Sequence, residues 1–210
     1  MVRAGAPRAE GDRVLSRKGP SLGDRIEDEV RFFKTWATSP LKMGSVTPTS
    51  RALADLMVKH AHPDPDGYVL ETGPGTGVVT EALIRAGIAE ERIVSLEYDK
   101  GFCRLLRKRF PKVHLFQGDA LDLDGALGEF RDVKFSAALS GIPLLNLPKT
   151  KRAPYLLALL DRLVPGGVVS QLSYSFTPPQ ESIPGRLTVR KSKWVTANFP
   201  PGRAWIYARP

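Results

Sequence analysis

One cysteine, Cys103, is all that the 210-residue chain contains, so no disulfide can close within it and the sequence suits a reducing compartment. No run approaches the roughly 18–20 apolar residues of a membrane-spanning helix, and the first twenty residues lack the apolar stretch of a signal peptide. Any membrane contact is therefore expected to be peripheral, and the address cytoplasmic. Histidine is scarce as well: His60, His62 and His114 lack metal-ligand spacing with other ligands, so no metal is expected. Acid is in deficit, 22 Asp and Glu against 31 Lys and Arg, and the resulting +9 favours nucleic acid or an acidic membrane surface as partner. There is no internal repeat. What is present is ordinary for a folded domain, 42% hydrophobic and 25% charged residues, in a length that suits one α/β domain.

Residues 1–23, rich in Gly, Pro and Arg, read as a flexible basic arm. Residues 24–60 read as an N-terminal amphipathic helix and a cap over the active site. In its first part, 24–38, Asp24 is the expected N-cap and Ile26, Val30, Phe33 and Ala37 recur at helical spacing, with Phe32 and Trp36 widening the stripe. Such a helix either packs on its own domain or lies in a membrane interface. Pro40 and Pro48 then frame a loop, and Thr49 is the expected cap of a helix to about His60 that buries Leu53, Leu56 and Met57.

From 61 to 210 strand and helix alternate. Strands are predicted at 68–71, 92–97, 113–117, 135–140 and 168–173, and helices at 77–86, 101–110 and 149–163. Two final strands, 194–199 and 203–208, are separated by Pro200, Pro201 and Gly202 and read as an antiparallel hairpin. A mostly parallel seven-stranded sheet with such a hairpin at its end is the layout of a Rossmann-like class I S-adenosylmethionine-dependent methyltransferase domain.

The segment VLETGPGTGV, 69–78, carries the chemistry. Gly73, Gly75 and Gly77, with Pro74 and Thr76 between them, sit on the first strand-to-helix turn, where a missing Cβ allows positive φ and close approach to a ligand. A dinucleotide loop would want its third glycine at 78, where this chain has Val78. Glu71 at the strand end suits the cationic amino group of a methionine moiety and would repel a pyrophosphate. Glu97, ending the second strand, can accept both ribose hydroxyls, and Tyr98 can cover the adenine. Asp119 in FQGDAL can accept from the adenine amino group, with Ala120 leaving room for the ring edge. S-adenosylmethionine is the expected cofactor, and Met43, Gly44 and Ser140 complete the candidate contacts.

On the acceptor side the fourth strand end reads SGIPLLNLP. Many amino-methylating enzymes of this class carry Asn-Pro-Pro-Tyr or Asn-Leu-Pro-Tyr there, and we read Ser140 in place of the asparagine and Leu144 in place of the aromatic. Without those two groups a flipped base has neither its hydrogen-bond acceptor nor its stacking face. An aliphatic pocket for an alkyl amine follows, lined by Ile142, Pro143 and Leu144, with Ser140 or Tyr174 as catalytic candidates for passing the amine proton to water. Trp36, Tyr98 and Tyr174 offer aromatic faces to a methylated ammonium, and Lys34, Lys42 and Arg186 offer cations to a phosphate.

FFKTWATSPLKMGSVTPTS, ETGPGTGVVTEAL, GDAL, SGIPLLNLP and PPGRAWIYAR together resemble the bacterial phospholipid N-methyltransferases of the soluble, rRNA-dimethylase-like type, from about Arg31 to the C-terminus. The resemblance implies stepwise methylation of phosphatidylethanolamine, through mono- and dimethyl forms, to phosphatidylcholine. It also implies peripheral attachment to the inner face of the cytoplasmic membrane by the helix at 24–38. The alternative is an rRNA adenine N6-dimethyltransferase, against which the fourth strand end and the lack of a helical C-terminal RNA-binding domain both count. The last 29 residues, with six cations and no acid, suit anionic lipid head groups and RNA alike.

Overall fold

The computed structural model describes residues 49–198 and 200–210. The expected arm at 1–23, the helix at 24–38, and Lys34, Trp36, Lys42, Met43 and Gly44 lie outside the described residues.

Helix α1 (Arg51–Ala61) opens the described chain. Its cap is Ser50, whose Oγ accepts from the Leu53 amide at 3.3 Å, rather than Thr49. Leu53, Ala54, Met57, Val58 and Ala61 return every three or four residues and are buried, while Leu56 is only partly so. Strand β1 (Tyr68–Thr72) follows, then α2 (Val78–Arg85), β2 (Ile93–Glu97) and α3 (Lys100–Arg109). The cap of α3 is Asp99, whose Oδ1 accepts from the Gly101 and Phe102 amides at 2.7 and 2.9 Å. Next come β3 (His114–Gln117), the single turn α4 (Leu123–Ala126), β4 (Phe135–Ser140), α5 (Lys149–Leu160), β5 (Val169–Ser173), β6 (Thr188–Lys191) and β7 (Arg203–Ala208).

The seven strands form one sheet in the order β3-β2-β1-β4-β5-β7-β6. The first five are parallel and β7 runs antiparallel to both β5 and β6. This is the class I methyltransferase sheet. Central strands such as β1 and β5 are buried along all or nearly all of their length because both faces are covered. In β7 the alternation is clean: Ala204 and Ile206 pack with α1 and α2, while Trp205 and Tyr207 pack with α5 on the other face.

The hairpin is real, but its first strand lies earlier than the sequence pattern suggests. Thr188–Lys191 pairs with β7, and Ser192 extends the ladder by one bond, its amide donating to the Ala204 carbonyl at 3.0 Å. Beyond that, Val195 makes only an isolated bridge to Gly202. The Asn198 side chain and two prolines without amide protons turn this stretch into a loop, leaving the β-branched run at 188–189 to build the strand.

Candidate active site

Strand order reverses between β1 and β4, and the loops leaving their carboxyl ends open a crevice there, as in open α/β sheets generally. Gly73, Gly75 and Gly77 carry φ of +67°, +55° and +85°. At Gly77, the N-cap of α2, a Cβ would come within 2.5 Å of the Phe110 ring, so both backbone and packing demand glycine. At Gly75 a Cβ would meet nothing within 4 Å, so there the loop faces open space. This loop is a cradle of the kind an adenosyl ligand needs.

The acids of the first two strand ends are not equivalent. Glu97 is buried at the lip, where its Oε2 accepts from the Gly75 amide and its Oε1 from the Asp99 amide, each at 2.9 Å. Burial raises its pKa and these backbone donors oppose the rise. Glu71, on β1 two residues before Gly73, is 1% exposed. Its Oε2 accepts from Thr80 Oγ1 at 2.7 Å and Ser95 Oγ at 2.9 Å, whereas Oε1 has no hydrogen-bond partner among the described residues. Desolvation, helped by the charge of Glu97, pushes Glu71 up to about 7 against the pull of the two hydroxyls. Neither carboxylate has a basic side chain bonded to it among the described residues. Buried acids without basic partners favour a cationic neighbour over an anionic one.

Beside Glu97 lies a cleft of about 450 Å³, which neither Glu71 nor Gly77 lines. Of the residues expected from sequence, Gly73, Pro74, Gly75, Thr76, Glu97, Tyr98, Asp119, Ala120, Ile142 and Pro143 line it. Tyr98 stands 76% exposed at the mouth. Asp119 Oδ1 accepts from the Leu121 amide at 2.9 Å, which sets the turn after β3.

Several expected residues are elsewhere. Ser140 is fully buried at the end of β4, sharing a 2.9 Å hydrogen bond with the Tyr155 hydroxyl, which in turn shares one of 2.7 Å with Thr72 Oγ1. Burial raises the Tyr155 pKa to about 12. The residue that faces the cleft is Gly141. Counting back from Pro143, an Asn-Leu-Pro-Tyr motif would place its asparagine at 141, so glycine, and not Ser140, stands in that position. Leu144 begins a short 3-10 turn (Leu144–Asn146) whose pitch drives it into the core, so it does not line the acceptor pocket; Leu147 does. Tyr174 does not line the cleft either: its hydroxyl is bonded to Thr49 and Asn198, and burial raises its pKa. Arg186 is an exposed loop residue whose carbonyl accepts from Arg209 at 3.0 Å, and it is not part of the cleft wall.

Sequence reasoning missed Thr49, Phe102, Leu121, Gly141 and Leu172 on the wall. Gly141 had a signal in the motif count. A Cβ there would lie 2.5 Å from the Gly73 carbonyl oxygen, so this glycine lets the two loops of the crevice meet.

The family model for ribosomal RNA adenine dimethylase matches residues 42–134, less than half of the chain. A ribosomal RNA small subunit methyltransferase A from a Synechococcus strain is 49% identical over 59 residues, 27% of this chain and 20% of that protein. The chain thus matches only about a fifth of that relative's length. An ornithine lipid N-methyltransferase from Singulisphaera acidiphila is 28% identical over 146 residues, 68% of this chain and 74% of that protein. Among solved structures, TrmN from Thermus thermophilus superposes with a TM-score of 0.58 at 17% identity, covering 77% of this chain and 49% of that one. A TehB-like S-adenosylmethionine-dependent methyltransferase from Corynebacterium glutamicum gives 0.55 at 11% identity, covering 88% and 100%. In sheet order and glycine turn the chain has the fold of the class I S-adenosylmethionine-dependent methyltransferases.

Proposed function

We propose that the protein is a phospholipid N-methyltransferase that methylates the amine of phosphatidylethanolamine and its mono- and dimethyl derivatives, giving phosphatidylcholine, at the inner face of the cytoplasmic membrane. The observation that carries this reading is the acceptor wall: Gly141 stands where a base-methylating enzyme would hold asparagine, and Leu144 is turned into the core instead of offering an aromatic face. What faces the acceptor is Gly141, Ile142, Pro143 and Leu147, a narrow apolar wall suited to an alkyl ammonium. The relative named as an ornithine lipid N-methyltransferase supports the lipid class.

When bound, S-adenosylmethionine supplies an electrophilic methyl group on a cationic sulfur. Glu97 and Asp119 would hold its ribose and adenine and the turn at 73–77 would receive its methionine end, with the buried Glu71 behind that turn as the acid nearest its amino group in sequence. The protein's remaining task is positioning and exclusion of water, because an uncharged amine nitrogen is itself the nucleophile. Tyr98 offers its face to the quaternising ammonium.

A second reading, adenine dimethylation in ribosomal RNA, is favoured by the family match at 42–134 and the short Synechococcus match. The experiment is a direct competition: methyl-labelled cofactor, phosphatidylethanolamine vesicles and unmodified ribosomal RNA in one reaction. Label is expected in the lipid; label in RNA alone overturns the proposal.

A further inference from the structure

We infer that the turn after β5 and the loop between β6 and β7 form a docking surface for an anionic lipid bilayer beside the cleft mouth; this rests on the lipid reading above. Ser173, the last residue of β5, pairs with Arg203, the first of β7. The segments 174–177, 192–198 and 200–202 therefore leave the sheet together at its carboxyl edge, the edge on which the cleft opens, and the neighbouring Leu172 lines that cleft.

On this rim Phe176 is 83% exposed, the most exposed large hydrophobic residue described. Its ring centre lies 5.0 Å from that of Trp194. Behind Trp194 sits the Arg203 guanidinium, 4.4 Å from the indole centre and 5.2 Å from that of Trp205, donating to the Ser192 carbonyl at 2.9 Å. The aromatic pair is thus seated on a buried, braced cation and does not hang from a loose loop. Lys191 and Lys193 stand exposed beside it, and residues 182–210 contain six cations and no acid.

A single exposed phenylalanine would need no explanation. Phenylalanine tilted against tryptophan, with lysines alongside and no Asp or Glu in residues 182–210, has the composition of a membrane–water interface: amphipathic rings at head-group depth and cations against lipid phosphate. Single-stranded RNA also takes stacked rings and cations, so it enters the test as the competing partner.

The full-length protein and its variants Phe176→Ser and Lys191→Glu/Lys193→Glu are floated with vesicles of phosphatidylethanolamine and phosphatidylglycerol. In parallel, methyl transfer is measured on a short-chain phosphatidylethanolamine dispersed as monomers. Both variants are expected to bind vesicles about tenfold or more weakly, as loss of one buried ring or reversal of two interfacial charges implies, while keeping wild-type turnover on the monomeric lipid. Wild-type vesicle binding by both variants overturns the docking surface. So does loss of binding to a single-stranded RNA oligomer with vesicle binding intact. Failure of the wild-type protein to methylate either lipid form overturns the acceptor reading instead, and the flotation comparison reports on the surface independently of it.

Discussion

Glu71 is where the electrostatics of the cleft are most open to test. In the folded protein its proton is held up to about 7, against 4.5 for the free side chain. Between these values the folded state keeps a proton that the unfolded chain has released, so stability is highest below about 4.5, falls as pH rises toward 7, and is level beyond. The drop attributable to this one group is roughly 3 kcal/mol, since each tenfold change in proton affinity is worth about 1.4 kcal/mol. Glu71→Gln should flatten that slope, visible as melting temperatures that change less between about pH 5 and 7.5 than those of the parent. An equally steep fall in the variant would assign the slope to other groups. Glu97 makes a different prediction. Its two oxygens already accept two backbone amides, so Glu97→Gln turns an amide donor toward either Gly75 or Asp99 and removes a charged acceptor from the lip. Affinity for S-adenosylmethionine by calorimetry is expected to fall about tenfold to a hundredfold, from the ~1.5–3 kcal/mol of a hydrogen bond to a charged group.

Elements owe their placement to a few such residues, and the sequence discloses them unevenly. The entry to α2 was legible because only glycine tolerates φ of +85° at Gly77. Gly77→Ala should lower stability by about 1–3 kcal/mol, combining a left-handed alanine with overpacking against Phe110 and Leu106, as read by urea unfolding. The strands of the parallel core were legible too, from their apolar runs and Gly or Pro punctuation. Which way Ser140 points was not, because Tyr155, fifteen residues on and in another layer, decides it. Nor was the tie made by Asn198. Its Oδ1 accepts from the Ser50 amide, 148 residues away, at 2.6 Å, and its Nδ2 donates to the Pro200 carbonyl at 2.7 Å. Nothing local in TANFPPG announces that role. Asn198→Ala should cost about 1–3 kcal/mol by leaving these groups unpaired, with Asn198→Asp recovering part of the loss at neutral pH because its carboxylate can still accept from Ser50.

For the molecule as a whole, charge and shape converge on one edge of the sheet. Vesicle binding should weaken steeply as salt rises from about 50 to 500 mM, because the cations at 182–210 act through a screened field, while the aromatic contribution persists. Deleting residues 1–38 tests the other proposed attachment, and flotation that survives the deletion would leave the rim around Phe176 as the principal anchor. Behind the cleft, meanwhile, the hydroxyls of Ser140, Tyr155 and Thr72 are joined to one another and sealed from solvent. None of the three lines the cleft, so the proposed acceptor amine would pass its hydrogen ion to water on the open side. Turnover is then expected to rise toward alkaline pH with the uncharged fraction of that amine.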